Sequence, residues 1–241
     1  MSVMSMRIVM NNTSKIYIGA VTFAGLAMIA TGLTQWTSAE PGLFALLLAA
    51  TAVVSTLKVR LPGVLGNITP GSFFVLLGIG RFSLPEAITV GVVSALAQSL
   101  INTKRAPRAE QVVFNVSTLA ISAGAASFAS RLFTGLENGM VGLLTGLVVA
   151  AQVYYFLNTS LVAGVISVTS GQQYASVWRQ CHTWNFAYYL VVVPLAGFAW
   201  YALPALSWRV FALLVPTLWL VHKGYGYLIS EVIVLPQPSG R

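Results

Sequence analysis

Side chains able to carry chemistry are few in this sequence. Its five carboxylates are all glutamates, Glu40, Glu86, Glu110, Glu137 and Glu231, and its only histidines are His182 and His222. A pair of carboxylates on one helix face would suit general acid–base work or a hard cation. Here each glutamate instead sits at the end of an apolar segment, and no two share a face. Glu86, Glu110 and Glu137 fall in predicted first turns, where a carboxylate meets the positive end of the helix dipole. Ser83 with Glu86, and Thr134 with Glu137, also fit the spacing of a capping box. Two histidines and the single Cys181 supply ligand atoms, but not at the spacing of a metal site, so no metal is expected. Haem ligation by the two histidines has no supporting pattern, and the cofactor is left unassigned. Serine-hydrolase, Walker, zincin and dinucleotide-binding patterns are all missing, so the sequence predicts a protein that is not an enzyme.

Uncharged polar residues inside apolar stretches are the second place to look. Asn115, Thr118, Ser122, Ala126 and Ser130 recur at three- and four-residue spacing, which puts them on one helix face. The small residues of that face allow close helix approach. Gln152, Tyr155, Asn158 and Thr159 follow on the next predicted helix, and Asn67 and Thr69 lie in a stretch broken by Pro62, Gly63, Gly66, Pro70 and Gly71. Such amides and hydroxyls either bond across a bundle to hold helices together or line a ligand cavity. On the second reading the candidate ligand-binding residues are Asn67, Thr69, Asn115, Ser122, Gln152, Tyr155, Asn158 and Thr159. A separate cluster, Trp178, Arg179, His182 and Trp184, is predicted in a polar loop at the inner interface, positioned to meet lipid phosphate, a neighbouring loop or a cytoplasmic partner.

The elements that must position these residues follow from composition. Of 241 residues, 57% are hydrophobic and 7% charged, with a mean hydropathy of +0.81. Soluble domains carry about 25% charged residues, so a soluble enzyme, a disordered chain and a disulfide scaffold are all excluded. The predicted fold is all-α, a single polytopic transmembrane helix bundle over residues 1–241. About eight spans are expected, near 16–36, 42–57, 61–80, 83–101, 110–133, 135–170, 183–206 and 208–235. The third span is broken in its first half. The sixth is too long for the hydrocarbon core, so it must tilt, project or break near Asn158-Thr159-Ser160. Pro216 predicts a kink in the eighth.

Loop charges set the orientation. With the N-terminus inside, ten of the 13 Lys and Arg residues fall on the inner side, leaving Arg81, Arg131 and Arg209 outside. That asymmetry predicts both termini in the cytoplasm. It also accounts for the net charge of +8 without invoking nucleic acid, for which no motif exists. The expected surroundings are a lipid bilayer and, beyond it, a membrane-complex partner or a small or lipidic ligand.

Four strings carry a family resemblance: Leu57-Lys-Val-Arg-Leu-Pro-Gly63, Phe114-Asn-Val-Ser-Thr-Leu-Ala-Ile-Ser-Ala123, Tyr155-Phe-Leu-Asn-Thr-Ser-Leu-Val-Ala163, and Val177-Trp-Arg179 with Trp184. From about Lys15 to Ile229 the chain resembles the multi-pass N-terminal input region of bacterial signalling proteins that end in GGDEF or HD-type phosphohydrolase domains. The resemblance implies a sensory or scaffolding module in a bacterial inner membrane and supplies no catalytic residues. Neither output motif occurs in this sequence, which contains no Asp at all, so a stand-alone module is expected. The function predicted is a non-enzymatic membrane module that senses a ligand or scaffolds a partner. The alternatives are a small-molecule transporter or its substrate-binding subunit, and an accessory subunit of an energy-transducing membrane complex.

Overall fold

The computed structural model describes residues 11–57, 59–60, 67–101, 103, 106–134, 139–206 and 208–234. Among them are eight helices: α1 (Asn12–Thr34), α2 (Pro41–Val54), α3 (Gly71–Arg81), α4 (Leu84–Leu100), α5 (Ala109–Thr134), α6 (Gly139–Ser170), α7 (Tyr174–Leu206) and α8 (Arg209–Val234). Between α2 and α3, β1 (Val59–Arg60) pairs antiparallel with β2 (Asn67–Ile68), setting Val59 opposite Ile68 and Arg60 opposite Asn67. The all-helical expectation therefore holds apart from this short pair.

Four segments are long and apolar enough to cross a membrane: Asn12–Thr34, Ala109–Thr134, Val141–Ser170 and Tyr188–Ala205. The helices Pro41–Val54, Gly71–Arg81, Leu84–Leu100 and the Phe211–Leu220 part of α8 are apolar but shorter. The third predicted span, expected to be broken in its first half, is helical over Gly71–Arg81. Its helix begins only at Gly71, and its 11 residues rise about 16 Å, half the hydrocarbon core. Gly71 through Ile79 are all buried, so α3 is a core element wrapped by protein. Gly71 is required there: a Cβ would lie 2.6 Å from Ser94 Oγ and closer still to Ser55 Oγ, two hydroxyls bonded to each other at 2.9 Å.

Of the remaining boundaries one differs from expectation, that of the seventh element. The sixth span is one unbroken 32-residue helix through Asn158, about 48 Å long. The seventh starts at Tyr174, nine residues before the predicted 183, so Trp178, Arg179, His182 and Trp184 lie within a helix and not in a loop. Val177 and Cys181 are buried there, four residues apart on the face that packs against Ala163 of α6, which is why the helix continues through this polar stretch. Thr134 ends α5 and bonds back to Arg131 O at 3.2 Å. Glu137 lies outside the described residues. Pro216 sits inside α8, as do Pro194 and Pro204 inside α7.

Packing is organised around two helices. α5 lies against α1, α4 and α6, while α3 lies against α2, α4 and α7. Small residues permit the close approaches: a Cβ on Gly25 of α1 would press on Ser117 of α5, and one on Gly91 of α4 would meet Leu119 O at 3.1 Å. Gly171, at φ 71°, ends α6 in the left-handed region, and its N–H donates to Ser167 O at 2.9 Å. This glycine cap reverses the chain into α7.

Candidate functional site

Charged side chains converge at the end of the bundle where α1 and α3 finish and α2 and α4 begin. The α1–α2 turn brings Thr37, Ser38, Ala39 and Glu40 against Arg81, Phe82, Ser83 and Glu86, and these residues line a pocket of about 270 Å³. Glu86 is 1% exposed. A carboxylate so buried is costly unless hydrogen-bonded. Its Oε1 accepts from Ser38 Oγ at 2.6 Å, and its Oε2 accepts from Ser83 N at 2.9 Å and Ser83 Oγ at 2.7 Å. The predicted capping box of α4 is thus present, and Ser38, 48 positions earlier, adds a bond that local spacing could not show.

Arg81 closes the other wall. Its Nη2 forms an ion pair with Glu40, while its buried Nε has no hydrogen-bond partner among the described residues. Arg131 of α5 donates to Phe82 O at 3.2 Å and braces the α3–α4 corner. Ser83 Oγ also lies 2.9 Å from Thr37 O, so one hydroxyl ties the two corners together. The N-termini of α2 and α4 add positive dipole ends. Both signs of charge therefore face one small volume.

At the other end, Tyr155 of α6 meets α7. Its hydroxyl is bonded to His182 Nδ1 and donates to His182 O at 3.0 Å. The His182 ring stacks on Trp178 with centroids 4.3 Å apart and 17° between planes, and on Phe186 at 5.7 Å. Cys181 lies beside it, ahead of the apolar Tyr188–Ala205 segment, and burial pushes its thiol pKa up, which suits packing and not nucleophilic work.

The predicted ligand-binding residues that the structure describes occupy several settings. Asn115 and Gln152 are exposed, and Asn115 Nδ2 donates to Ser99 Oγ at 3.1 Å, joining α5 to α4. Ser122 is buried, its hydroxyl bonded within its own helix to Thr118 O at 2.8 Å. Asn158 is half-buried and Thr159 buried on α6. Thr69 O accepts from Tyr188 OH at 3.4 Å, tying the start of α3 to α7. The side chains of Asn67, Trp184 and His222 lie outside the described residues. Tyr155 and His182 bring the two predicted groups into contact, and Asn115 and Tyr155 each bond to a neighbouring helix. Of the residues that line the pocket, Glu40 and Glu86 fall at the ends of apolar segments and Arg81 among the outer-side charges, with no sequence signal that joins them to Ser38. They are up to 48 positions apart, and only the Ser83–Glu86 spacing signals any part of the site.

Among known proteins, a family model described as MASE9 matches residues 43–207. No curated protein and no solved structure matches the chain.

Proposed function

The chain belongs to the MASE9 family of membrane-associated sensory domains, and we propose that it is a multi-pass sensory module of the bacterial inner membrane with eight spans and both termini cytoplasmic. The family is a sensory and non-catalytic one. On this reading the Glu40–Arg81 end faces outward, the Gly171 turn faces inward, and α3 with α7 carries the signal between them. The kinship with the input regions of GGDEF and HD-type proteins belongs to the same proposal, and makes a cytoplasmic signalling partner the recipient.

The observation that carries the proposal is the attachment of α3 to α7 at both ends. Trp200 Nε1 donates to Gly80 O at 2.9 Å beside the pocket, and Tyr188 OH reaches Thr69 O at 3.4 Å at the other end. A helix buried along its length cannot deform locally, because close-packed interiors transmit displacement. Movement of Arg81, the last residue of α3, is therefore passed to α7, whose other end carries Arg179 and His182.

Two measurements test this. On a Cys181→Ser background, Ser38→Cys should react with an impermeant maleimide applied to intact cells, and Gly171→Cys only after permeabilisation; labelling of both from one side overturns the eight-span reading. Trp200→Phe keeps an aromatic ring but removes the N–H donor. It is expected to raise amide hydrogen exchange across residues 174–182, and unchanged exchange there overturns the coupling.

A further inference from the structure

We propose that the Glu40–Arg81–Glu86 pocket is the receptor site for a small zwitterion, a molecule or headgroup carrying an ammonium and an oxyanion a few bonds apart. This rests on the reading of that end as the outward face of a sensory module.

Charge complementarity selects the class. A simple anion approaching Arg81 meets Glu40 and Glu86 on the same walls, and a simple cation approaching the glutamates meets Arg81. A molecule bearing both charges satisfies both walls. Arg81 has a donor to give: Nη2 is engaged by Glu40, but Nε is buried and without a partner among the described residues. An oxyanion that takes the place of Glu40 on the part-exposed guanidinium regains a charge-assisted bond there, and the resulting shift of Arg81 can free its unmatched N–H. Glu40 is suited to the ammonium, since it is half-exposed and its side chain does not cap α2. Glu86 is already held by Ser38 and Ser83, and supplies fixed negative potential on the same side. A volume of about 270 Å³ equals about nine waters. That accommodates a free amino acid or phosphoethanolamine, or the headgroup of phosphatidylethanolamine entering from the bilayer, and excludes peptides and nucleotides.

Binding would draw Glu40 and Arg81 onto the ligand in place of each other. Arg81 ends α3 and Glu40 precedes α2, so occupancy changes how these two helices are tied at the outward end.

The test uses the full chain in nanodiscs of phosphatidylglycerol, whose headgroup lacks an ammonium. The soluble probes are L-serine and phosphoethanolamine, with ethanolamine and inorganic phosphate as single-charge counterparts. In a second arm phosphatidylethanolamine replaces the lipid and thermal unfolding is followed. Support is binding of a soluble zwitterion at least about tenfold tighter than both counterparts, or a raised unfolding midpoint in phosphatidylethanolamine discs; the first identifies a soluble ligand and the second a headgroup. Arg81→Gln and Glu40→Gln should each abolish the preference, and Glu40→Gln decides if Arg81→Gln fails to fold. A wild-type protein without preference in either arm, or a preference surviving in the folded variants, overturns the proposal. The labelling and exchange measurements need no ligand, so a failure here leaves the sensory reading standing.

Discussion

Gly25→Ala tests whether the pocket depends on α1, which is mostly exposed and held to the bundle along a narrow seam. A methyl group on Gly25 would lie 2.7 Å from Ser117 Oγ and closer still to Ser117 Cβ and Cα. Ordinary carbon contacts sit at about 3.5–4.0 Å, so the helices must part by about 1 Å. The obstructing atoms include backbone, and no rotamer change relieves them. Separation also lengthens the bond from Ser117 Oγ to Thr22 O, already 3.4 Å. Overpacking of this kind costs about 1–3 kcal/mol, and the helix propensity of Ala offsets up to about 1 kcal/mol. A net loss of about 1–2 kcal/mol is expected. Gly124→Ala is the internal control on the same seam: its added methyl meets the Met28 thioether, with Sδ at 2.7 Å. That unbranched side chain swings aside, so the change should stay within about 0.5 kcal/mol. Both variants are compared by reversible unfolding in mixed micelles titrated with dodecyl sulfate. Gly25→Ala should also speed maleimide labelling of Ser38→Cys in a Cys181→Ser background, because α1 delivers Ser38 to Glu86. Equal stability of the two glycine variants would refute the close-approach reasoning.

Ser38→Ala leaves Glu86 Oε1 without the bond it receives at 2.6 Å in a buried place, and should cost about 1–3 kcal/mol in the same titration. Tyr155→Phe keeps the tilted ring contact with His182 but removes the hydroxyl joining α6 to α7; a loss of about 0.5–1.5 kcal/mol is expected, and none would show that the aromatic packing alone sets this contact. Cys181, whose thiol pKa burial raises above the ordinary value of 9.0, holds less thiolate at any given pH. Its maleimide reaction in nanodiscs should be slow near pH 8 and rise only well above pH 9; fast labelling of the native protein at pH 8 would contradict its burial.

Apolar periodicity and caps made the helices legible, since Ser83 with Glu86 marks the start of α4 and the Gly171 turn separates α6 from α7. Legibility failed where a residue's role is set by distant chain. Nothing local shows that Glu40 pairs with Arg81, or that the polar run from Trp178 to Trp184 is helical because Val177 and Cys181 pack on Ala163. The predicted cavity rests on chemical type alone. Asn115, Ser122 and Tyr155 share a chemical type, but bilayer burial imposes that type on every interhelical bridge, whether or not a ligand binds. Nor does the glycine at the start of α3 show locally that it serves the close passage of the Ser55 and Ser94 hydroxyls.

The placement of charge separates sensing from transport on physical grounds. Transport sites gather ionisable groups or unwound backbone near mid-membrane, at the junction of two moving bundles. In this chain the buried residues of α3 are apolar apart from Ser72 and the glycines, while Glu40, Arg81 and Glu86 collect where α3 finishes. A ligand held at the Glu40 end has no polar path along α3. On the sensory reading proposed above it would act on the opposite end by shifting helices, and the bonds from Gly80 O to Trp200 and from Thr69 O to Tyr188 tie α7 to α3 for that movement.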